Sequence, residues 1–294
     1  MSIYNQNQMA KQNSLYKKGI QYIDEHGYLE KAKMILDITG NLRLVGDTGA
    51  GKTTMVHRLA EIYNLPLYET VLTRDTTRWD LLATDTIQDG KTAVRNGIIL
   101  DWLLNPNGGI AYMDGFNYAE PSIISLLESL ADFRGSVWIP ELKQTFTRTA
   151  KHLLIISYNP SEKAGYSGTY LENIATIRRF EGIRVKYLSA MHERKLIQAN
   201  AGNDEKLAYK FAAKWVELAN KTRNMYKDNK LKTPLTTGNL VNYAKFYSAG
   251  MAEDDILEIA SSLYPEDEQN QFKKCFEDSA EIDIGKIKEV AGVQ

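Results

Sequence analysis

The chain has 294 residues, 43% of them hydrophobic and 25% charged, which suits a soluble globular protein of one large domain or two modest ones. Lys+Arg number 36 against 37 Asp+Glu, so the net charge of −1 argues for neither a nucleic-acid field nor an acidic solvating tail. A single cysteine, Cys275, excludes an intramolecular disulfide framework and a cysteine zinc cluster.

Residues 1–40 read as a polar tail and one or two helices, with Ile20, Ile23, Ile35 and Leu36 as apolar positions. Met1–Lys18 is rich in Asn, Gln and Lys, and no apolar run behind it could serve as a signal peptide. Nowhere is there a run of the roughly 20 apolar residues that cross a bilayer. A cytoplasmic protein without membrane association is therefore expected. From Leu42 onward, short apolar runs end in small or polar residues. Leu42–Val45, Leu67–Val71, Ile110–Met113, Leu153–Ser157 and Ile183–Tyr187 are the five predicted strands. Val56, Leu59, Ala60 and Tyr63 fall at helical spacing after the first, and Ile123, Ile124, Leu127 and Leu130 after the third. Strands alternating with helices predict an α/β fold with a mostly parallel sheet covered on both faces. Beyond Leu188 helical patterns dominate, over Ala190–Asn200, Asp204–Tyr226, Gly238–Ala249 and Glu253–Tyr264. The expected organisation is a tail with helices over 1–40, an α/β core over 41–188 and a helical domain over 189–294.

Gly46-Asp47-Thr48-Gly49-Ala50-Gly51-Lys52-Thr53 fits G-x-x-x-x-G-K-[ST] at every fixed position. Glycines let the backbone curl so that its N–H groups face phosphate oxygens, and the helix that begins near Lys52 points its positive end at the same anion. Lys52 supplies a charge to the β and γ phosphates, the Thr53 hydroxyl is a Mg²⁺ ligand, and Thr54 opens the helix beside them. Such a site also needs a carboxylate at the end of a neighbouring strand. Asp114, closing Gly109–Asp114, is the candidate second magnesium residue. ATP and Mg²⁺ are the expected cofactors.

Asp114-Gly115-Phe116-Asn117, followed by Pro121 and Leu126-Leu127-Glu128, resembles the Walker B region of the MoxR-type AAA+ ATPases, in the branch that contains CbbQ, NorQ and GvpN. Asp75–Asp85, with Trp79-Asp80-Leu81-Leu82, resembles that family's loop before its helix insert, and Val137–Thr149 resembles the hairpin before sensor 1. Asn159-Pro160 resembles the sensor 1 Asn-Pro, and Ile177-Arg178-Arg179-Phe180 resembles the arginine-finger segment. The resemblance implies a five-stranded parallel P-loop NTPase core of AAA+ type with a C-terminal all-helical lid. It implies an ATPase in which Asn159 orients water or the γ-phosphate, while Arg179 and Arg178 reach the nucleotide of a neighbouring copy. It further implies a homo-oligomeric ring, a hexamer, that remodels or activates a partner protein such as a von Willebrand A-domain protein.

Two departures bear on turnover. The family glutamate that follows the Walker B aspartate is Gly115, with Glu120 and Glu128 as candidate substitutes, and the usual sensor 2 arginine in Thr236-Thr237-Gly238-Asn239-Leu240 is Gly238. Both losses point to tight nucleotide holding with slow turnover. The alternatives are a non-hydrolysing structural or assembly subunit, and a GTP-using or nucleic-acid-acting P-loop NTPase. Lys221–Lys232, the one basic stretch of note, reads as a solvated loop between helices. His26, His57, His152 and His192 lack ligand spacing and read as surface or core residues. Phe116 and Tyr118 read as core packing, and Tyr166, Gly168 and Tyr170 as a loop facing a ring pore or the sensor region.

Overall fold

The computed structural model describes residues 22–88, 91–160 and 174–280, so the polar tail, Ile20 and the segment with Tyr166, Gly168 and Tyr170 lie outside the described residues. The chain divides into two compact units, 1–186 and 187–294.

In the first unit, helix α1 (Tyr28–Thr39) leads into strand β1 (Asn41–Val45), and helix α2 (Lys52–Tyr63) follows after a six-residue loop. Strand β2 (Leu67–Val71) precedes a short helix α3 (Arg78–Leu81), a hairpin of β3 (Ala83–Gln88) and β4 (Lys91–Asn96), and helix α4 (Ile98–Leu104). Strand β5 (Gly109–Asp114) runs into a 3₁₀ turn (Phe116–Tyr118) and helix α5 (Pro121–Ala131), which starts with proline at a position where no N–H is needed. A second hairpin, β6 (Ser136–Ile139) and β7 (Gln144–Thr147), precedes strand β8 (His152–Tyr158), helix α6 (Ile174–Arg179) and strand β9 (Glu181–Arg184).

Five of these strands form one parallel sheet in the order β2-β5-β8-β1-β9. The central strands β5 and β8 are buried on both faces, which is why they read as continuous apolar runs, while the edge strand β9 exposes Glu181 and Arg184. Along β5, Ala111 and Met113 enter the core shared with α4 and α5, where Trp102, Ile123 and Leu127 also pack. The alternate residues Ile110 and Tyr112 enter the opposite core beneath α1 and α2, with Leu36, Met55, Val56 and Leu59. This period-two alternation carries Tyr112 to the α2 side. The order also places β8 between β1 and β5, so the C-terminal ends of all three open on one crevice, where ligands of open α/β sheets bind.

The predicted strand Ile183–Tyr187 is corrected to Glu181–Arg184. The Val185 N–H still donates to Val45 O at 2.7 Å, but β1 then turns away at Gly46, and a strand without a partner ends. The segment Asp75–Asp85 is not a plain loop. Thr77 and Asp80 close a capping box on α3, and β3 follows directly. The hairpin expected within Val137–Thr149 is β6–β7.

The second unit is entirely helical among its described residues: α7 (Ala190–Gln198), α8 (Glu205–Lys227), α9 (Thr237–Ser248), α10 (Glu253–Ser261) and α11 (Glu266–Ala280). Asp204 caps α8 by accepting from the N–H groups of Lys206 and Leu207, and Thr236 with Asn239 forms a capping box on α9. Its core is aromatic, with Trp215 stacked on Phe211 at 5.5 Å and edge-on to Phe276 at 5.3 Å. Lys221–Lys232 is not a loop throughout. Its first half is the last turns of α8, with Thr222 and Arg223 buried. No helix among the described residues is long and apolar enough to cross a membrane.

Candidate nucleotide site

The loop between β1 and α2 curls because two of its glycines, Gly49 and Gly51, take φ of 73° and 90°, in the left-handed region that side chains resist. Gly46 is fixed by a different constraint. A Cβ there would lie 2.3 Å from Val185 O, so only glycine lets β1 leave the sheet at that point. Ala50 N–H donates to Asp47 O at 3.2 Å and Met55 N–H to Gly51 O at 2.9 Å, so the curl passes straight into α2. Thr53 and Thr54 therefore sit in the first turn of α2, beside its electropositive end.

Lys52 is 8% exposed, and its Nζ donates to Gly46 O at 2.7 Å, Asp47 O at 3.1 Å and Asn159 Oδ1 at 2.8 Å. All three acceptors are neutral oxygens. Burial pushes its ammonium down to about 8, against the pull of Asp114 and Asp47. A buried cation with neutral contacts is a site prepared for an anion. Asn159, at the end of β8, also donates from Nδ2 to Thr48 Oγ1 at 3.1 Å, and its own carbonyl accepts from Asn117 Nδ2 at 3.2 Å. Through its side-chain amide and its backbone carbonyl, this one residue ties the phosphate loop, the lysine and the turn after β5 together.

The acidic side is equally connected. Asp114 Oδ1 accepts a short hydrogen bond from Ser157 Oγ and another from Gly115 N–H at 2.9 Å. Ser157 Oγ lies 2.8 Å from Tyr112 OH, which lies 3.2 Å from Thr53 Oγ1. Tyr112 and Ser157 were not singled out by sequence reasoning. The signal that could have found them is the strand period, since Tyr112 is two residues before Asp114 and Ser157 two before Asn159. Burial, the Asp114 charge and that of Glu69 raise the Tyr112 phenol, which keeps it protonated at neutral pH. Thr53 and Asp114 offer hard oxygens of the type Mg²⁺ takes, few in number because that ion retains water. The residues present therefore fit both a phosphate chain and its magnesium.

Arg178 and Arg179 are elsewhere. They end α6, and Arg179 O accepts from Asn41 Nδ2 at 3.0 Å, which places it at the start of β1. The phosphate loop leaves the other end of that strand, roughly 16 Å away at about 3.3 Å per residue. The Arg179 guanidinium is held by Ala175 O at 3.0 Å and Asp132 Oδ2 at 3.4 Å, and is 32% exposed. Asn159 and these arginines thus form two separate groups within one chain. Glu128 belongs with the second group. Its carboxylate accepts from Thr176 Oγ1 at 2.6 Å, so it is occupied beside α6 rather than at the phosphates. Glu120 is the N-cap residue of α5.

Gly115 and Gly238 differ in what they exclude. Gly115 has φ of 71°, and a Cβ would lie 2.9 Å from Leu72 O. A Cβ on Gly238 would meet only Thr236 Oγ1, at 3.6 Å, an ordinary contact. Gly238→Ala is accordingly expected to stabilise α9 by about 0.5–1 kcal/mol, read as a higher urea midpoint at unchanged slope. An unchanged or lower midpoint would show that the open space is needed.

The phosphate-site region and the helical unit each match a known family. Residues 41–180 match the AAA domain family of the dynein-related subfamily, and residues 193–271 match the CbbQ/NirQ/NorQ C-terminal family. The chain is similar to an uncharacterized protein of Staphylococcus epidermidis, 28% identical over 178 residues, covering 60% of this chain and 64% of that one. An uncharacterized Staphylococcus aureus protein is 28% identical over 160 residues, covering 53% of this chain and 59% of that one. These matches span less than two-thirds of the relatives' own length. Among solved structures, a candidate ATPase from Cytophaga hutchinsonii shares the fold, with a TM-score of 0.50, 17% identity and 94% of each chain covered.

Proposed function

The chain belongs to the MoxR-type AAA+ ATPases, and on that premise we propose that it binds ATP with Mg²⁺ on Gly46–Thr53 and works as a homo-oligomeric ring on a protein partner. The carrying observation is the buried Lys52 ammonium, whose three hydrogen bonds among the described residues go to neutral oxygens, one of them on Asn159. Gly46 to Thr54 wrap the phosphates, Lys52 offsets their charge and Asn159 fixes the outermost one. Thr53 and Asp114 would hold magnesium, which when bound neutralises phosphate charge and draws electron density from the bond to be broken. Arg179, with Arg178 beside it, lies too far from its own loop to serve it, and we assign it to the nucleotide of an adjacent copy. A partner of the von Willebrand A-domain class would sense the ring geometry that nucleotide sets.

Mass measurement with and without ATP tests the ring. ATP is expected to shift the wild-type protein to a ring mass, with hexamer as the proposed size. Arg179→Ala is expected to weaken that shift by about tenfold in protein concentration while leaving the nucleotide affinity of the dilute, unassembled chain within about twofold. Equal loss of affinity would place Arg179 at its own site and contradict the assignment.

Gly115 favours a second reading, in which ATP holds the assembly together and is hydrolysed slowly or not at all. No side chain at this position can orient the attacking water, and Glu128 is bound to Thr176. A turnover assay with ATP and GTP, with and without DNA or RNA, separates the two readings from a nucleic-acid-acting or GTP-using enzyme.

A further inference from the structure

The hydroxyls between the two proposed magnesium residues form an unbroken series, Thr53 Oγ1 to Tyr112 OH at 3.2 Å, Tyr112 OH to Ser157 Oγ at 2.8 Å, then Ser157 Oγ to Asp114 Oδ1. From this geometry we infer that Tyr112 and Ser157 are positioning residues that preset Thr53 as a lone-pair donor to the metal; the inference rests on the Mg²⁺·ATP reading above.

The direction of the series follows from proton counting. A carboxylate only accepts, so the single Ser157 proton is donated to Asp114. Ser157 can then only accept from Tyr112, and Tyr112, its proton spent on Ser157, can only accept from Thr53. The Thr53 proton is thereby directed toward Tyr112, which leaves its lone pairs to act as the metal donor. With the opposite polarity a hydroxyl proton would face the cation and oppose it. Solvent cannot reset the order, because Tyr112 and Ser157 are both fully buried. The sheet builds the series. Asp114 and Ser157 are register partners, Tyr112 lies two residues back on the same face of β5, and that face packs under α2. Outer partners of this kind orient ligands, and losing one typically costs 10–100-fold in metal affinity.

The test measures binding of a fluorescent ATP analogue to the full chain, titrated with Mg²⁺ and repeated in EDTA, for wild type, Tyr112→Phe and Ser157→Ala. Both variants remove one link. Each is expected to need about tenfold more Mg²⁺ or more at half-maximal binding, with metal-free affinity within about twofold of wild type. Wild-type Mg²⁺ midpoints in both variants would overturn the relay, as would equal losses with and without metal, which mark a packing role. If Tyr112→Phe lowers the melting temperature, Ser157→Ala decides, because it removes one hydroxyl from a small side chain and leaves Tyr112 itself unchanged. Wild-type protein whose uptake ignores Mg²⁺ would instead contradict the metal reading itself.

Discussion

Replacing Glu193 with alanine is expected to destabilise the helical unit by about 3–5 kcal/mol, enough to unfold it ahead of the α/β unit on heating. Glu193 is fully buried, and its two oxygens accept from Arg223 Nη2 and Nη1, both at 2.8 Å. Thr237 Oγ1 donates to the same carboxylate at 2.6 Å, so one side chain pins α7 to α8 and to the first turn of α9. Arg223 is further held by Leu235 O at 2.9 Å and stacks over Tyr187 at 4.0 Å. Alanine would leave this guanidinium buried with no counter-charge, and the desolvation cost of an unpaired ion exceeds the worth of the pair. The apolar double replacement Glu193→Leu with Arg223→Met should recover much of the loss, since it removes both ions together. Differential scanning calorimetry reads both results. A single-variant loss under about 1 kcal/mol would mean that water reaches the pair.

Gly115→Glu, the change that restores the family's usual residue, is expected to lower stability by about 1–2 kcal/mol or more and to leave ATP turnover no higher than in wild type. Part of the cost is the left-handed φ of 71°. The rest is the approach of the new Cβ to Leu72 O, at 2.9 Å. Leu72 cannot easily yield, because its N–H donates to Asp114 O at 2.7 Å as the continuation of the β2–β5 ladder. Gly115 N–H also donates to the Asp114 carboxylate, so any shift of this residue disturbs the acidic side of the site. The backbone has adapted to glycine. Adding the carboxylate back therefore does not rebuild a water-orienting site. Gly115→Ala should show the same destabilisation without the new charge. A tenfold gain in turnover with Gly115→Glu would show that the loop rearranges, and that hydrolysis was limited by the missing carboxylate alone.

The phosphate loop and its flanking strand and helix were legible because the centre of the sheet is buried on both faces and the glycines answer a local steric demand. The five runs at Leu42, Leu67, Ile110, Leu153 and Ile183 are all sheet strands, and only the last was misplaced in extent. The β3–β4 hairpin leaves little trace in the sequence because burial does not define it. Ile87 is 81% exposed, and Lys91–Asn96 carries no apolar alternation. Helix α11 was missed for a related reason. Its apolar stripe, centred on Phe272 and Phe276, is narrow in an otherwise charged segment. Within the site, motif spacing picks out residues that we assign to the nucleotide, such as Lys52 and Asn159. It is silent on Tyr112 and Ser157, whose places depend on register between strands far apart in sequence. Glu128 reads in sequence as a candidate substitute for the missing glutamate, but Thr176 donates to its carboxylate beside α6.

Nucleotide uptake by Lys52→Ala, compared with wild type by isothermal titration calorimetry at millimolar Mg²⁺, addresses the central claim most directly. Loss of the buried ammonium is expected to weaken ATP binding by about 100-fold or more, on the scale of a buried charge-assisted contact of roughly 3 kcal/mol, while the melting temperature without nucleotide holds or rises. Unchanged affinity in the variant, or no uptake by the wild-type chain, would contradict it.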